Sequence, residues 1–263
     1  MPRSCKTITK AALRVAAQNQ FLRLGYSENG KGYFLPGQLT KQRVRDLHAP
    51  HRTERLDQER SFVMRCGHDL VKDFATGRQV NPELIEPELV EVASDTPEAD
   101  LFRFATLLWS VPVSRGFGRR LRFLVKDRQN GKLIGLFALG DPVFNLTARD
   151  KWIGWAHEDR AERLVHVMDA YVVGAVPPYS QLIGGKLVAA LMASSEVIEA
   201  HERKYSGKES LISGEVKRAR LLLITTTSAL GRSSLYNRLV IPGGPRFKTI
   251  VTFPHLLDQG ERS

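Results

Sequence analysis

The spacing of apolar residues along this 263-residue chain changes once, near residue 100. Before that point it is helical. Leu13, Ala16, Ala17 and Phe21 recur every three or four positions, which predicts a helix over Lys6–Leu24 with Gly25 as its stop. Tyr26–Gly37 is glycine-rich and reads as loop. Leu39–Leu47, with Thr40 as N-cap, predicts a second helix bearing Lys41, Arg43 and Arg45, followed by His48 and His51. Leu56–Phe74 predicts a third, with Leu56, Phe62, Val63, Leu70, Val71 and Phe74 on its apolar side and Gly77 as its end. Asn81–Glu98 is acidic and contains Pro82, Pro87 and Pro97, so it reads as a connector with one short strand, Leu89–Val92. A short helix follows over Asp100–Leu108, capped near Thr96 or Asp100.

Beyond it the pattern has the period of a strand. Leu121, Phe123 and Val125 alternate with Arg122, Leu124 and Lys126, and after Asn130-Gly131 a second apolar run covers Lys132–Leu139. Asn-Gly between two such runs predicts a hairpin. Trp152–Trp155 and Val165–Val173 read as further pieces of the same sheet. Gly184–Ala193 is a helix that Val197–Lys204 either extends or follows. Arg220–Thr227 is a strand, and Ser233–Leu239 opens a last helix. The order predicts an α+β fold, a sheet with helices packed on it. The expected divisions are a mostly helical region with an acidic connector over 1–98, an α/β domain over 99–250 and a tail over 251–263.

Composition adds a charge pattern. The formal net charge is +11 and the pI about 9.9. Residues 1–60 carry +7, residues 61–100 carry −6 and the remainder +10. Segregated charge of this kind points to distinct faces, and the positive excess suits polyanions such as nucleic acid as well as an ordinary basic surface. No apolar run is long enough for a membrane helix, and the polar, basic start lacks the apolar stretch of a signal peptide. Cys5 and Cys66 form no zinc pattern, and so few thiols suit the cytoplasm.

Three groups of residues are candidates for chemistry. The strand around Val165–Val173 runs through Gly174 and Pro177-Pro178 into Gln181, Ile183, Gly184, Gly185 and Lys186 at a helix start, where free amides and the helix dipole can cradle a phosphate; a tight packing turn is the plainer reading. His166 and Asp169 stand in an otherwise apolar strand. A carboxylate there needs a partner or a role, so Asp169 reads either as a general base or as half of an ion pair with an arginine. Arg115, Arg119, Arg120 and Arg122 lead a basic run that extends to Lys132, with Phe117 and Phe123 interleaved. They suit nucleic-acid phosphates, or a solvated hairpin face. Asp141, Asn145, Asp150, Asp159 and Glu162 could be gathered into a metal site, but their spacing demands none, and Arg149-Asp150 and Asp159-Arg160 read equally well as ion pairs.

Two family resemblances rest on longer blocks. Gln181 and Gly184 match the pyrophosphate signature of the GNAT acetyltransferases, Gln/Arg-x-x-Gly-x-Gly/Ala, and Lys186 stands where the signature has a small residue. RFLVKDRQNGKLIGLFAL resembles the central hairpin of that family, and LLLITTT with SSLYNRL resembles its later strand and helix. The likeness implies a GNAT-like mixed sheet, acetyl-coenzyme A or another phosphate-containing ligand, and Tyr236 in the place of a general acid. More specific are the stretches DLFRFATLLWSVPVSRGFGRRLRFLV, GKLIGLFALGDPVFNLTARD, VPPYSQLIGGKL and TTSALGRSSLYNRL, which resemble the DruA family of the Druantia antiphage systems over roughly residues 5–245. The ending after about Phe247 departs from that pattern. The resemblance implies a bacterial antiphage or mobile-element protein that works with other defence proteins. Three activities stay open: an acyltransferase-like domain, a non-catalytic nucleic-acid-binding component, and a metal-dependent, transposase-like DNA-processing enzyme.

Overall fold

The computed structural model describes residues 9–30, 32–34, 37, 40–113, 118–182, 184–209, 214, 216–228, 230, 235, 239–242, 244 and 247–250. Arg115, Ile183, Tyr236 and the tail over 251–263 lie outside the described residues, as does most of the helix expected at Ser233–Leu239. The chain divides into two units, one running through Leu47 and the other His48–Thr252.

In the first unit, α1 (Lys10–Arg23) is capped by Thr9, whose hydroxyl accepts from the amide of Ala12. A small hairpin of β1 (Ser27–Glu28) and β2 (Tyr33–Phe34) follows, with Phe21 stacked on Tyr33 and edge-on to Tyr26. The next helix, α2 (Lys41–Leu70), starts here and continues into the second unit. Thr40 caps it by accepting from the amide of Arg43 at 3.1 Å. The sequence predicts two helices in this stretch, and the structure has one running through Pro50. Proline removes one helical hydrogen bond and normally breaks a helix. Here Thr53 donates its hydroxyl to the Ala49 carbonyl one turn back, and side-chain pairs four apart (Gln42–Asp46, Glu54–Gln58, Arg55–Glu59) brace both sides. The helix also stops at Leu70, short of the expected Gly77, and tight turns follow at Val71–Asp73, Gly77–Gln79 and Pro82–Leu84.

The second unit is built on a five-stranded mixed sheet. Its strands are β3 (Pro87–Glu91), β4 (Arg120–Asp127), β5 (Lys132–Gly140), β6 (Val167–Ala175) and β9 (Leu223–Thr225), in that spatial order. Between them lie α3 (Pro97–Thr106), α4 (Thr147–Ile153), α5 (Asp159–Arg163), α6 (Gly184–Leu191), α7 (Ser195–Tyr205) and a minor pair, β7 (Lys208–Glu209) with β8 (Val216–Lys217). The strand expected in the acidic connector is thus the sheet's edge. Every pairing in the sheet is antiparallel except β6 with β9, which is parallel. The β4–β5 hairpin turns at Asn130-Gly131, where Gly131 has a φ of +71° that a side chain would strain.

Helices cover both faces of this sheet. Leu121, Phe123 and Val125 of β4 and Met168 and Ala170 of β6 meet Val188 and Ala189 of α6 and Val197 and Ala200 of α7. On the opposite face Leu124, Leu136, Ala138 and Val172 pack with Leu101, Phe102 and Ala105 of α3, joined by Leu70 and Phe74. Each fully buried aliphatic or aromatic side chain contributes roughly 1.5–3 kcal/mol of transfer free energy, so this double-sided core anchors the sheet. Trp152–Trp155, expected as strand, belongs instead to α4 and its end. Four residues of apolar sequence cannot separate helix from strand. The deciding interaction is tertiary: Arg149, fully buried, donates to the carbonyls of Val143 and Phe144 and pairs with Asp150, which also binds Arg160.

Candidate functional site

The strand β6 leads from one candidate group of residues to the other. At its far end it passes Pro177-Pro178 into a turn at Tyr179–Gln181 and then α6. That turn is pinned by a buried network. Tyr179 donates its hydroxyl to Asp127 at 2.7 Å and accepts from Asn130 at 2.9 Å. Asp127, fully buried, also accepts from the Gln129 side chain and from the amides of Gln129 and Glu86. Burial, then the neighbouring carboxylate of Asp127, pushes the Tyr179 hydroxyl up to about 12.

The residues of the expected phosphate cradle divide at this turn. The amides of Gln181 and Leu182 already bond the carbonyls of Pro178 and Tyr179. Gly184 is buried, and a Cβ there would stand 2.6 Å from the Tyr179 carbonyl oxygen and 3.1 Å from Ala175. Glycine is therefore required at this position for close packing. Gly185 is half-buried near Leu235, while Gln181 and Lys186 are exposed beside the start of α6.

At the near end of β6 the sheet sets four residues in one row. Arg120 on β4 is opposite Gly140 on β5, Gly140 is opposite Asp169 on β6, and Asp169 is opposite Thr225 on β9. Residues directly opposite across neighbouring strands project from the same face. Thr225 donates its hydroxyl to Asp169 at 2.7 Å. The Asp169 carboxyl is raised above the ordinary range because burial disfavours its charge, and the Thr225 hydrogen bond only partly opposes this. Among the described residues no arginine or lysine lies within ion-pair distance of Asp169, so its partner is a hydroxyl and not the arginine that one reading of the sequence allows for. His166 does not join the row. It lies in the turn before β6, its Nδ1 at 3.0 Å from the carbonyl oxygen of Arg220 and 3.2 Å from the Arg220 amide nitrogen.

The hairpin arginines part ways. Arg119 donates to the carbonyls of Leu164, Val165 and Val167 and to Asp141, so its guanidinium staples two loops together. It lies 3.5 Å from His201, which is fully buried and pushed down to about 4 by that burial and then by the Arg119 charge. Arg120 lies over the Tyr171 ring at 4.3 Å, and its Nε is buried without a hydrogen-bond partner among the described residues. Arg122 stands 5.8 Å over the ring of Phe102, and Arg128 pairs with Glu86 and Glu88 in the acidic connector. Asp141, Asn145, Asp150 and Asp159 each bind arginines, and among the described residues no three His, Cys, Asp or Glu side chains gather as metal ligands would. Sequence reasoning missed Gly140, Tyr171 and Thr225. A glycine closing an apolar strand in Ala-Leu-Gly-Asp was the one available signal, and a weak one.

These features define a mixed α+β domain with a polar row at one end of its sheet and a helix start at the other. The chain belongs to the family described as Druantia protein DruA, whose profile matches residues 38–251. It is 47% identical over 243 residues to Druantia protein DruA of Escherichia coli (strain UMEA 4076-1), an alignment covering 92% of this chain and 60% of that protein. The chain thus spans about 60% of that relative's length. No solved structure matches it. Among the described residues no helix is long and apolar enough to cross a membrane.

Proposed function

We propose that this chain is a cytoplasmic component of a Druantia-type antiphage system, or of a mobile element, acting with other defence proteins, and that its sheet carries an acyltransferase-like centre. The observation that carries this reading is the β6–β9 pair. It is the one parallel pair in the described sheet, and its pairing ends at Asp169 and Thr225. Just past that pair the Thr226 hydroxyl donates to the Ala170 carbonyl, and α6 begins at the far end of β6, where a helix N-terminus favours anions. A mixed sheet and a phosphate-binding helix start are what the GNAT resemblance implies. An acyl-coenzyme A would set its phosphates near Gln181, Gly185 and Lys186 and its thioester toward Asp169.

Asp169 then serves as general base. A bound acyl-coenzyme A would supply the thioester; Asp169 would take the proton from the attacking acceptor amine or hydroxyl, and Tyr236, in the role its resemblance implies, would give a proton to the departing thiolate. A carboxyl raised by burial is better matched to that proton transfer than an ordinary aspartate. His166, whose Nδ1 lies on the Arg220 backbone in the turn before β6, is given no role in this step. The alternative, nucleic-acid binding through the hairpin, is weakened by the internal engagement of Arg119 and Arg128.

Calorimetry with acetyl-coenzyme A tests the reading. Wild-type protein should bind it, and Lys186→Glu, which sets a carboxylate where the phosphates would lie, should weaken binding by about tenfold or more, the scale of one charge-assisted contact. An absence of binding heat at saturating acetyl-coenzyme A would overturn it.

A further inference from the structure

Arg119 and Arg120 are neighbours in sequence and opposites in chemistry. Arg119 is saturated: three carbonyls and a carboxylate receive its donors. Among the described residues the Arg120 guanidinium has no hydrogen bond and no ion pair, and its Nε is buried. A buried donor left without a partner costs roughly 1–3 kcal/mol, and more when charged, so such a group calls for an explanation.

The row across the sheet supplies one. Arg120 and Asp169 are separated by a single strand, which at a spacing of about 4.8 Å puts their backbones roughly 10 Å apart. The intervening residue is Gly140, so β5 contributes no side chain to the gap. The guanidinium leans into that gap: Arg120 Nη1 is 2.9 Å from where a Gly140 Cβ would stand, and the Tyr171 ring borders the same space at 3.2 Å. A planar, fixed fork of donors is thus held over a glycine, on the same face as a carboxylate and a threonine hydroxyl. Such a fork matches the paired oxygens of a carboxylate or phosphate.

We infer that Arg120 anchors the acceptor substrate by an oxyanion, a carboxylate or a phosphate group, and so places the acceptor's nucleophilic amine or hydroxyl beside Asp169. The acceptor class is therefore an anion-bearing nucleophile. Gly140 makes the site possible by leaving room for the guanidinium, and Tyr171 orients it by stacking. The assignment of an acceptor rests on the acyltransferase reading; the oxyanion anchor itself does not.

The test uses full-length protein and two probes, acetate and inorganic phosphate, titrated separately against a chloride background. Arginine Nε–Hε resonances are followed by NMR. In the wild type the Arg120 resonance should move saturably with at least one probe while that of Arg122, on the same sheet face, stays in place. A response to acetate alone identifies a carboxylate acceptor, and a response to phosphate alone a phosphorylated one. Arg120→Gln should weaken the binding roughly tenfold to a hundredfold, as expected for loss of a charge-assisted bidentate contact. Gly140→Ala, which keeps the charge but crowds the guanidinium, should weaken it as well. A still Arg120 resonance with both probes, or unchanged affinity in both variants, overturns the inference. Acetyl-coenzyme A binding, measured on the same samples, separates this failure from failure of the acyltransferase reading.

Discussion

The two ends of the β4–β5 hairpin are built on opposite principles. At the turn end, a buried carboxylate, Asp127, is surrounded by donors: the Tyr179 hydroxyl, the Gln129 side chain and two backbone amides. At the open end, a half-buried carboxylate, Asp169, has a single hydroxyl partner, and Arg120 two strands away has none among the described residues. Both ends remove polar groups from water. The first compensates them in full; the second saturates Arg119 but leaves Arg120 without a partner among the described residues. Satisfied networks rigidify a fold, whereas polar groups left wanting partners are a common mark of sites that bind or react. The hairpin therefore joins a stability end to a chemistry end, and the stiff strands between them fix the geometry of the second.

The largest effect should come from breaking the stability end. Asp127→Ala takes the acceptor from the Tyr179 hydroxyl and from two backbone amides and removes one of the bonds of the Gln129 side chain, and urea unfolding should show a loss of about 3 kcal/mol. Tyr179→Phe, which keeps the packing and the carboxylate, should cost less, about 1–2 kcal/mol. Equal losses from the two would mean that Asp127 is not the centre of the network.

A second, pH-dependent effect comes from His201, buried behind the Arg119 staple. Its folded pKa of about 4 lies below the ordinary value of 6.5. Between these values the unfolded chain takes up a proton that the folded protein refuses, so stability falls as pH drops through this window. His201→Gln should make the fall shallower; the same slope in the variant would assign the acid sensitivity elsewhere.

The turn of the stability end was legible in the sequence; its Asp127–Tyr179 network was not, and of the chemistry end little was. The hairpin, its Asn-Gly turn and the caps Thr40 and Thr96 are local, set by residues within a few positions of one another. The helix through Pro50 and the helical Trp152 segment were not legible: proline ordinarily reads as a break, and the burial of Glu59 and Arg149 cannot be told from sequence. Glu59 binds Arg103 of α3 as well as Arg55 one turn away. The row from Arg120 to Thr225 depends on the register of four strands and on a parallel pairing between segments 56 residues apart. Sequence pattern names Asp169 as an oddity in an apolar strand; it cannot say that glycine stands opposite. Nor can it distinguish Arg119 from Arg120, since only the fold shows which one is saturated.

The smallest stability effect is expected at Asp169. Its folded pKa is raised, so the charged form is disfavoured by folding; the carboxylate costs stability at neutral pH, and this cost disappears as pH falls toward the ordinary carboxylate range. Asp169→Asn should be slightly more stable than wild type at pH 7, with the difference vanishing in acid. A variant less stable at pH 7 would make Asp169 a structural residue.

The most direct test of the division between the two ends is a side-by-side urea unfolding of Asp127→Ala and Arg120→Gln at pH 7. The predicted result is a large loss for Asp127→Ala and no loss for Arg120→Gln, which gives up the ring contact with Tyr171 but also removes a buried charged donor that lacks a partner among the described residues. An Arg120→Gln protein destabilised as severely as Asp127→Ala would contradict the account, because the arginine would then be holding the fold and not awaiting a ligand.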